Sequence, residues 1–405
     1  MEHGTPKASK LLPSNAYTKL APGEVYRPIV SAGDRRAEVT LWSVSFGLLM
    51  VVVFSAACIY IALRAGNGIE AAIPIAILAI FFGKLRKVRS TILENVIVQS
   101  IGQASGVVAA GAAFLIPALY INRLEVAWWH IFLATFVGGV LGVVLIIPLR
   151  KYFVKDLHGD LPFPEGTAIN EVLVTGESAG KSSGKILLAS FGLGAIYDFL
   201  VEGVHAWNPT LTTKTLMGRA GEALSNLRID LSLNGIAALF GLGYIIGLRY
   251  AAIIAAGSIL STVVLVPMVY LVGAHAGELS FAGKTLNIGT MSSGAIFAEF
   301  VRPIGIGAIA ASAIIGIIRM GKIILSSVSL GFKGLRGGAA NIDVERTQRD
   351  LHPRNVLLIQ AVSVVQMALV FFIVAMVEAG DTYSTAQCLM FALVGAGVGF
   401  IFSFR

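Results

Sequence analysis

The sequence has few charged residues and almost no cysteine, and both shortages narrow the class of protein. Asp, Glu, Lys and Arg make up 13% of the 405 residues, about half of the share that is typical of soluble globular proteins. Two cysteines, Cys58 and Cys388, are too few for a disulfide-stapled secreted scaffold, and both lie inside apolar runs. Low charge together with 56% hydrophobic residues predicts an all-α polytopic membrane protein.

Motifs of several other classes of membrane protein do not occur in this sequence. There is no GxxxxGK[ST] loop, which would hold the phosphates of ATP. There is also no HExxH pair of a zinc protease and no TVGYG-type ion filter. We therefore predict no enzymatic activity and no resident cofactor, and the sequence gives no direct support for a nucleotide-driven pump.

Ten apolar segments are fully or marginally long enough to cross a bilayer, which takes about 20 helical residues. The second is short and contains Pro74, so we expect it to be tilted, broken or re-entrant. The run 231–273 would be about 65 Å long as one helix, so it must turn back near Arg249. The ten predicted segments are 41–63, 69–83, 94–119, 128–149, 186–204, 231–248, 250–273, 303–318, 355–378 and 386–403.

The basic residues are distributed unequally between alternate connecting stretches. With residues 1–40 as a cytoplasmic tail, 24 of the 31 Lys and Arg residues fall on the inner side and seven on the outer side. This pattern follows the positive-inside rule, so the net charge of +8 indicates topology and not a nucleic-acid partner. We predict a multi-span domain over 41–405 in the cell membrane (the inner membrane of a Gram-negative cell), with both termini cytoplasmic.

The third predicted span carries a polar face. Gln99 and Gln103 are one helical turn apart, and the small residues Gly102 and Gly106 flank them on the same side. Such a face either lines a cavity or lets neighbouring helices pack closely without any ligand. We predict a cavity wall for the two amides. Gly138 and Gly142 repeat the small-xxx-small spacing in the next span, and close packing is the simpler explanation there.

Ionisable residues near the ends of spans are candidates for ion coupling because they are costly inside a membrane. Asp198, Glu202 and His205 would share one face of a continuous helix and are predicted to couple protons. A metal site and a solvated helix end are the alternatives. Glu299 and Arg302 could form a gate or a structural ion pair, whereas Glu94 fits a helix N-terminus.

Two stretches, 158–180 and 287–308, are rich in Gly, Pro, Ser and Thr. We expect non-helical backbone in both, as in the broken segments of secondary transporters. An ordinary polar loop is the alternative for the first stretch, in which a helix could begin near Pro164.

Several segments together resemble the oligopeptide transporter superfamily, in the manner of a bacterial-type member related to the yellow stripe-like branch. The resemblance implies a secondary transporter that takes up short peptides with protons, or a metal–chelate transporter. We also predict that Glu165, Thr167 and Glu171, in and just after the PFPEGTA segment, bind the substrate or line a cavity. Members are typically longer, with about sixteen spans, so we expect this chain to be the N-terminal part of one. The segments are YRPIV (26–30), ILENVIVQSIGQASGVVAAGAAFLIPAL (92–119), IPLR (147–150), PFPEGTA (162–168) and RPIGIGA (302–308).

Two other classes of function stay open from the sequence. One is a membrane-embedded metal-dependent enzyme or structural subunit whose metal is held by Asp198, Glu202 and His205. The other is a channel. The sequence does not distinguish a peptide from a metal chelate, and it specifies neither the coupling ion nor the oligomeric state.

Overall fold

The structure is a computed structural model that describes residues 12–65, 70–123, 126–161, 163–178, 181–281, 284–335, 347, 349–379 and 382–403. These residues are mostly helical, which confirms the predicted all-α polytopic class. The chain separates into two compact units. Unit 1 is Met1–Pro162 with Ile315–Arg405, and unit 2 is Phe163–Ile314.

The helices differ widely in length. They are α1 (Leu41–Ala65), α2 (Ala72–Leu85), α3 (Ile92–Ile121), α4 (Trp128–Lys151), α5 (Pro164–Ser178), α6 (Lys181–Asp198), α7 (Thr213–Met217), α8 (Arg219–Asn226), α9 (Ala237–Ile246), α10 (Leu248–Ile259), α11 (Val266–Gly273), α12 (Ser293–Ile296), α13 (Arg302–Leu335), α14 (Pro353–Ala379) and α15 (Thr385–Ser403). Wider π-helical turns occur at Tyr152–Asp156, Phe199–Gly203, Leu260–Leu265 and Phe297–Val301.

Four short strands form two antiparallel hairpins in unit 2. Strand β1 (Thr210–Thr212) pairs with β2 (Ser232–Asn234), with Leu211 opposite Leu233. Strand β3 (Glu278–Phe281) pairs with β4 (Lys284–Asn287), with Leu279 opposite Leu286.

Six described segments are long and apolar enough to cross a membrane, fewer than the ten predicted from the sequence. Two further apolar helices, Ala72–Leu85 and Thr385–Phe400, are shorter. The sixth predicted segment is wrong as a span because β2 occupies its start and leaves only the ten-residue α9. The six long segments are Leu41–Leu63, Ile92–Ile121, Trp128–Ile147, Leu248–Gly273, Ser293–Gly316 and Arg354–Val377.

The run 231–273 is interrupted close to the predicted position. Gly247 has φ +80°, a left-handed conformation that glycine adopts without the penalty of a side chain. It ends α9 and precedes α10, two residues before the expected turn at Arg249.

Both stretches expected to be non-helical are largely helical, so that prediction is wrong. In 158–180, α5 begins at Pro164 as expected, because proline suits the first turn of a helix, but the helix then continues to Ser178. In 287–308, the Ser292 hydroxyl accepts a hydrogen bond from Ala295 N at the start of α12. Helical backbone follows from there into α13.

One apolar core of unit 1 is built from α1, α2 and α3. The start of α3 is a capping box, in which the Thr91 hydroxyl accepts from Glu94 N and the Glu94 carboxylate accepts from Thr91 N. Glu94 is buried and lies 3.7 Å from Arg86 Nη1, which confirms its interpretation as a helix N-terminal acid. The buried apolar residues of this core are Phe46, Met50, Cys58, Ala71, Ile75, Ala79, Val98 and Ala109.

The N-terminal tail of unit 1 is fixed against the turn after α4. Lys19 Nζ lies 3.0 Å from Asp160 Oδ1, and His158 Nε2 lies 2.9 Å from Asn15 O. The Tyr26 ring stacks at a tilt against His158, with 5.1 Å between the ring centres. We call this contact between residues 15–26 and 158–160 the tail clasp.

In unit 2, the loop before β2 anchors the start of α12. Asp230 Oδ2 accepts a hydrogen bond from Ser293 Oγ at 2.7 Å. Arg228 Nη2 donates to Gly289 O at 3.3 Å, and the guanidinium lies 4.9 Å from the centre of the Tyr270 ring. Arg228 and Asp230 therefore act as structural residues of this unit.

Candidate functional site

The two glutamines of α3 form a directed chain of hydrogen bonds that ends on a carboxylate. Gln99 Nε2 donates to Gln103 Oε1 at 2.6 Å. Gln103 Nε2 in turn lies 3.4 Å from Glu70 Oε2, at the long end of hydrogen-bond distances. Gln99 is buried, whereas Glu70 is exposed. We call Gln99, Gln103 and Glu70 the amide–carboxylate chain.

Glycine residues let α2 and Glu70 approach this face of α3. A Cβ on Gly102 would lie 2.7 Å from Ile75 Cγ2, and a Cβ on Gly106 would lie 3.1 Å from Glu70 Cγ. The same face is therefore both a packing surface and the location of the two amides. At Gly138 and Gly142 a Cβ would meet no described atom within 4 Å, so the predicted close packing is not seen there.

Glu70 lies beside the middle of α3, which makes its depth in the membrane informative. Gly106 is at the midpoint of Ile92–Ile121, a helix of about 45 Å at 1.5 Å per residue. Helix α2 has 14 residues and is about 21 Å long, shorter than a hydrocarbon core of about 30 Å. Its first turn starts next to Glu70, and α2 is too short to cross the hydrocarbon core as a regular helix, consistent with the tilted, broken or re-entrant segment expected there.

Glu70 was not among the candidate residues from the sequence. It comes from a segment 33 residues before Gln103, and helical periodicity relates residues only within one helix. The sequence did contain one signal that could have identified Glu70, a carboxylate at the start of a short apolar segment with an internal proline. Ionisable residues within membrane segments are usually functional.

The residues predicted from the PFPEGTA segment lie on α5 in unit 2. Thr167 is half-buried, whereas Glu165 and Glu171 are exposed. The buried apolar residues of α5 include Ala168, Ile169, Leu173 and Val174. A role of Glu165, Thr167 and Glu171 in substrate binding stays a prediction.

Asp198, Glu202 and His205 do not share one face of a regular helix, so that geometric premise is wrong. The backbone widens to a π-helix at Phe199–Gly203, and His205 lies beyond the helix with φ +59°. Asp198 Oδ1 accepts a hydrogen bond from Ala237 N at 2.9 Å, at the start of α9. Glu202 and His205 are exposed. A role of the three residues in proton coupling stays a prediction.

Glu299 and Arg302 lie where a π-helical turn passes into α13. Glu299 is half-buried in Phe297–Val301, and Arg302 is the exposed first residue of α13. Their proposed role as a gate pair also stays a prediction. Over the described ranges, no group of three or more His, Cys, Asp or Glu residues is placed to hold a metal ion.

Comparison with known proteins shows which family the chain belongs to. The family model described as "OPT oligopeptide transporter protein" matches residues 38–404. The chain belongs to the OPT oligopeptide transporter family. The predicted resemblance is thereby confirmed.

A curated relative of this OPT family member comes from Haemophilus influenzae and is named "Putative oligopeptide transporter". The two proteins are 29% identical over 328 residues, which cover 78% of this chain and 48% of the relative. The chain thus spans about half the length of that relative. No solved structure shows a significant match.

Proposed function

We propose that the protein carries short oligopeptides across the cell membrane by secondary transport driven by protons. Membership of the OPT family and the name of the relative support this substrate class. The observation that carries the proposal is the amide–carboxylate chain, which gives α3 polar groups at mid-membrane depth. Amide donors and acceptors of this kind match the peptide bonds of an extended substrate.

Within this proposal, Gln99 and Gln103 line a cavity for the substrate, and Glu165, Thr167 and Glu171 are further candidates for substrate binding. Asp198, Glu202 and His205 carry the coupling protons, and Glu299 with Arg302 forms a gate. Carboxylates and imidazole are suited to coupling because their protonation responds to burial and to neighbouring charges.

The first test is uptake by cells that express the protein from its complete gene. Cells given radiolabelled dialanine (Ala-Ala) should accumulate it more than cells with an empty vector, and a protonophore should abolish the difference. Excess unlabelled dialanine should compete, whereas a ferric chelate should not. Competition by the chelate alone would instead favour the metal–chelate branch of the superfamily.

A further inference from the structure

Glu70 has unused hydrogen-bonding capacity where a charge is costly. Its Oε2 atom receives the long contact from Gln103, while Oε1 has no hydrogen-bond partner among the described residues. An ionised carboxylate can accept about four hydrogen bonds. A carboxylate at the depth of the α3 midpoint is expected to face the protein interior or a water-filled cavity, because exposure to lipid is unfavourable.

The surroundings of Glu70 favour a negative charge at this position. It immediately precedes Ala71, the cap residue of α2, which has no side-chain cap of its own. The positive end of the α2 dipole therefore acts on the Glu70 carboxylate. The hydrogen bonds of the amide–carboxylate chain also favour a negative charge there, because each glutamine donates its Nε2 hydrogen towards the carboxylate.

An anionic group with free acceptor positions is a binding site for a cation that carries several N–H donors. We propose that Glu70 binds the protonated α-amino group at the N-terminus of a peptide substrate, an inference that rests on the function proposed above. The ammonium group donates to the free Oε1 position, and Gln103 holds Oε2. Charge-assisted hydrogen bonds of this type are about twice as strong as neutral ones.

Competition binding tests this inference on the purified full-length protein with radiolabelled dialanine as the probe. The competitors are unlabelled dialanine and N-acetyl-dialanine, which has the same peptide bond but no ammonium group. In the wild-type protein we expect N-acetyl-dialanine to compete at least tenfold more weakly. In Glu70→Gln the affinity for dialanine should fall at least tenfold, while that for N-acetyl-dialanine stays within twofold, so that the discrimination disappears.

Two further variants make the result specific to this carboxylate. Glu222→Gln on α8 makes the same exchange at an exposed site in unit 2 and should keep the wild-type discrimination. Glu70→Asp keeps the charge but withdraws it by one methylene, so dialanine binding should weaken at least threefold and N-acetyl-dialanine binding should not. This variant decides the question if Glu70→Gln does not insert into the membrane.

The outcomes separate this inference from the proposed function. A wild-type protein that binds neither peptide would overturn both. Equal competition by the two peptides would overturn only the role of the ammonium group. Wild-type affinity for dialanine in Glu70→Gln or in Glu70→Asp would also overturn the binding of the ammonium group by Glu70. Loss of proton-driven accumulation with normal binding in these variants would make Glu70 a proton carrier instead.

Discussion

Individual residues of α3 show what helical periodicity alone can and cannot predict about the candidate site. Because Gln99, Gly102, Gln103 and Gly106 lie in one helix, their common face follows from 100° per residue and is present in the structure. What contacts that face could not be predicted, since Ile75 and Glu70 reach it from another segment. Tertiary contact, not local pattern, completes the candidate site.

The close approach at Gly102 predicts a loss of stability on enlargement. In Gly102→Ala the new methyl group would collide with the fully buried Ile75, and overpacking of this kind typically costs about 1–3 kcal/mol. Gly111→Ala, in the same helix but with no described atom within 4 Å of the new Cβ, should be neutral or gain up to about 1 kcal/mol of helix propensity. The melting temperature in detergent should therefore fall for the first variant only; equal melting temperatures would contradict the packing.

The amides of α3 should matter more to transport than to folding. The double variant Gln99→Leu with Gln103→Leu removes the chain that leads to Glu70, so dialanine uptake should be abolished at normal abundance in the membrane. Polar helix contacts average only about 0.6 kcal/mol, which makes a large loss of abundance unexpected. Gln366→Leu on α14 is the matched control and should transport normally. Full uptake by the double variant would show that this face is only a packing surface.

At the level of helices and strands, apolar length predicted the long helices better than the irregular ones. Helices α1, α3, α4 and α14 follow the predicted spans closely. The errors lie where a strand or a π-turn interrupts an apolar run, as at β2 and Phe199–Gly203. Hydropathy does not register such interruptions, because they depend on pairing and backbone conformation and not on polarity.

The capping box of α3 gives a prediction at this scale. Thr91→Ala removes the acceptor for Glu94 N and should destabilise the protein by about 1 kcal/mol. Thr91→Ser keeps a hydroxyl acceptor and should retain most of the stability. Thermal unfolding in detergent compares the two variants, and equal destabilisation by both would show that the hydroxyl is not what caps the helix.

Glu202 lies at the irregular end of α6, and its substitution tests the predicted proton coupling. If it carries the coupling proton, Glu202→Gln should lose proton-driven accumulation of dialanine but retain exchange of bound substrate, because glutamine keeps the shape and cannot release a proton. Accumulation with an unchanged pH dependence would move the relay elsewhere, and Glu165 or Glu171 would be tested next.

On the scale of the whole molecule, the tail clasp connects the N-terminal tail with the turn after α4. Hydrogen bonds from Ala21 N and the Asn15 side chain lower the pKa of the Glu24 carboxyl group, so the ionised form favours the folded tail. This stabilisation is present above the ordinary Glu pKa of about 4.3 and is lost as the pH falls through the lowered value. Burial raises the pKa of Tyr26, so its contribution is lost at alkaline pH, above about 10.

Hydrogen exchange should detect this pH dependence. Protection of residues 12–26, corrected for intrinsic exchange rates, is expected to be constant near neutral pH and to fall as the pH drops below about 4. Glu24→Gln should remove that acidic step. An identical step in the variant would assign the acid sensitivity to another group.

The orientation of the chain is a separate prediction from the distribution of basic residues. In a background without Cys58 and Cys388, a cysteine at Thr347 should be protected from an impermeant maleimide in intact cells. A cysteine at Asn122, in the predicted outer connection between α3 and α4, should react. Labelling of position 347 from outside would overturn the predicted topology.

Accumulation of dialanine in proteoliposomes tests the central claim, proton-driven peptide transport, most directly. With the full-length protein and an acidic exterior, one proton per peptide and a gradient of one pH unit would support about tenfold accumulation. We predict accumulation above the external concentration that disappears when the pH gradient is dissipated. Uptake that only equilibrates the peptide, whatever the gradient, would contradict the claim.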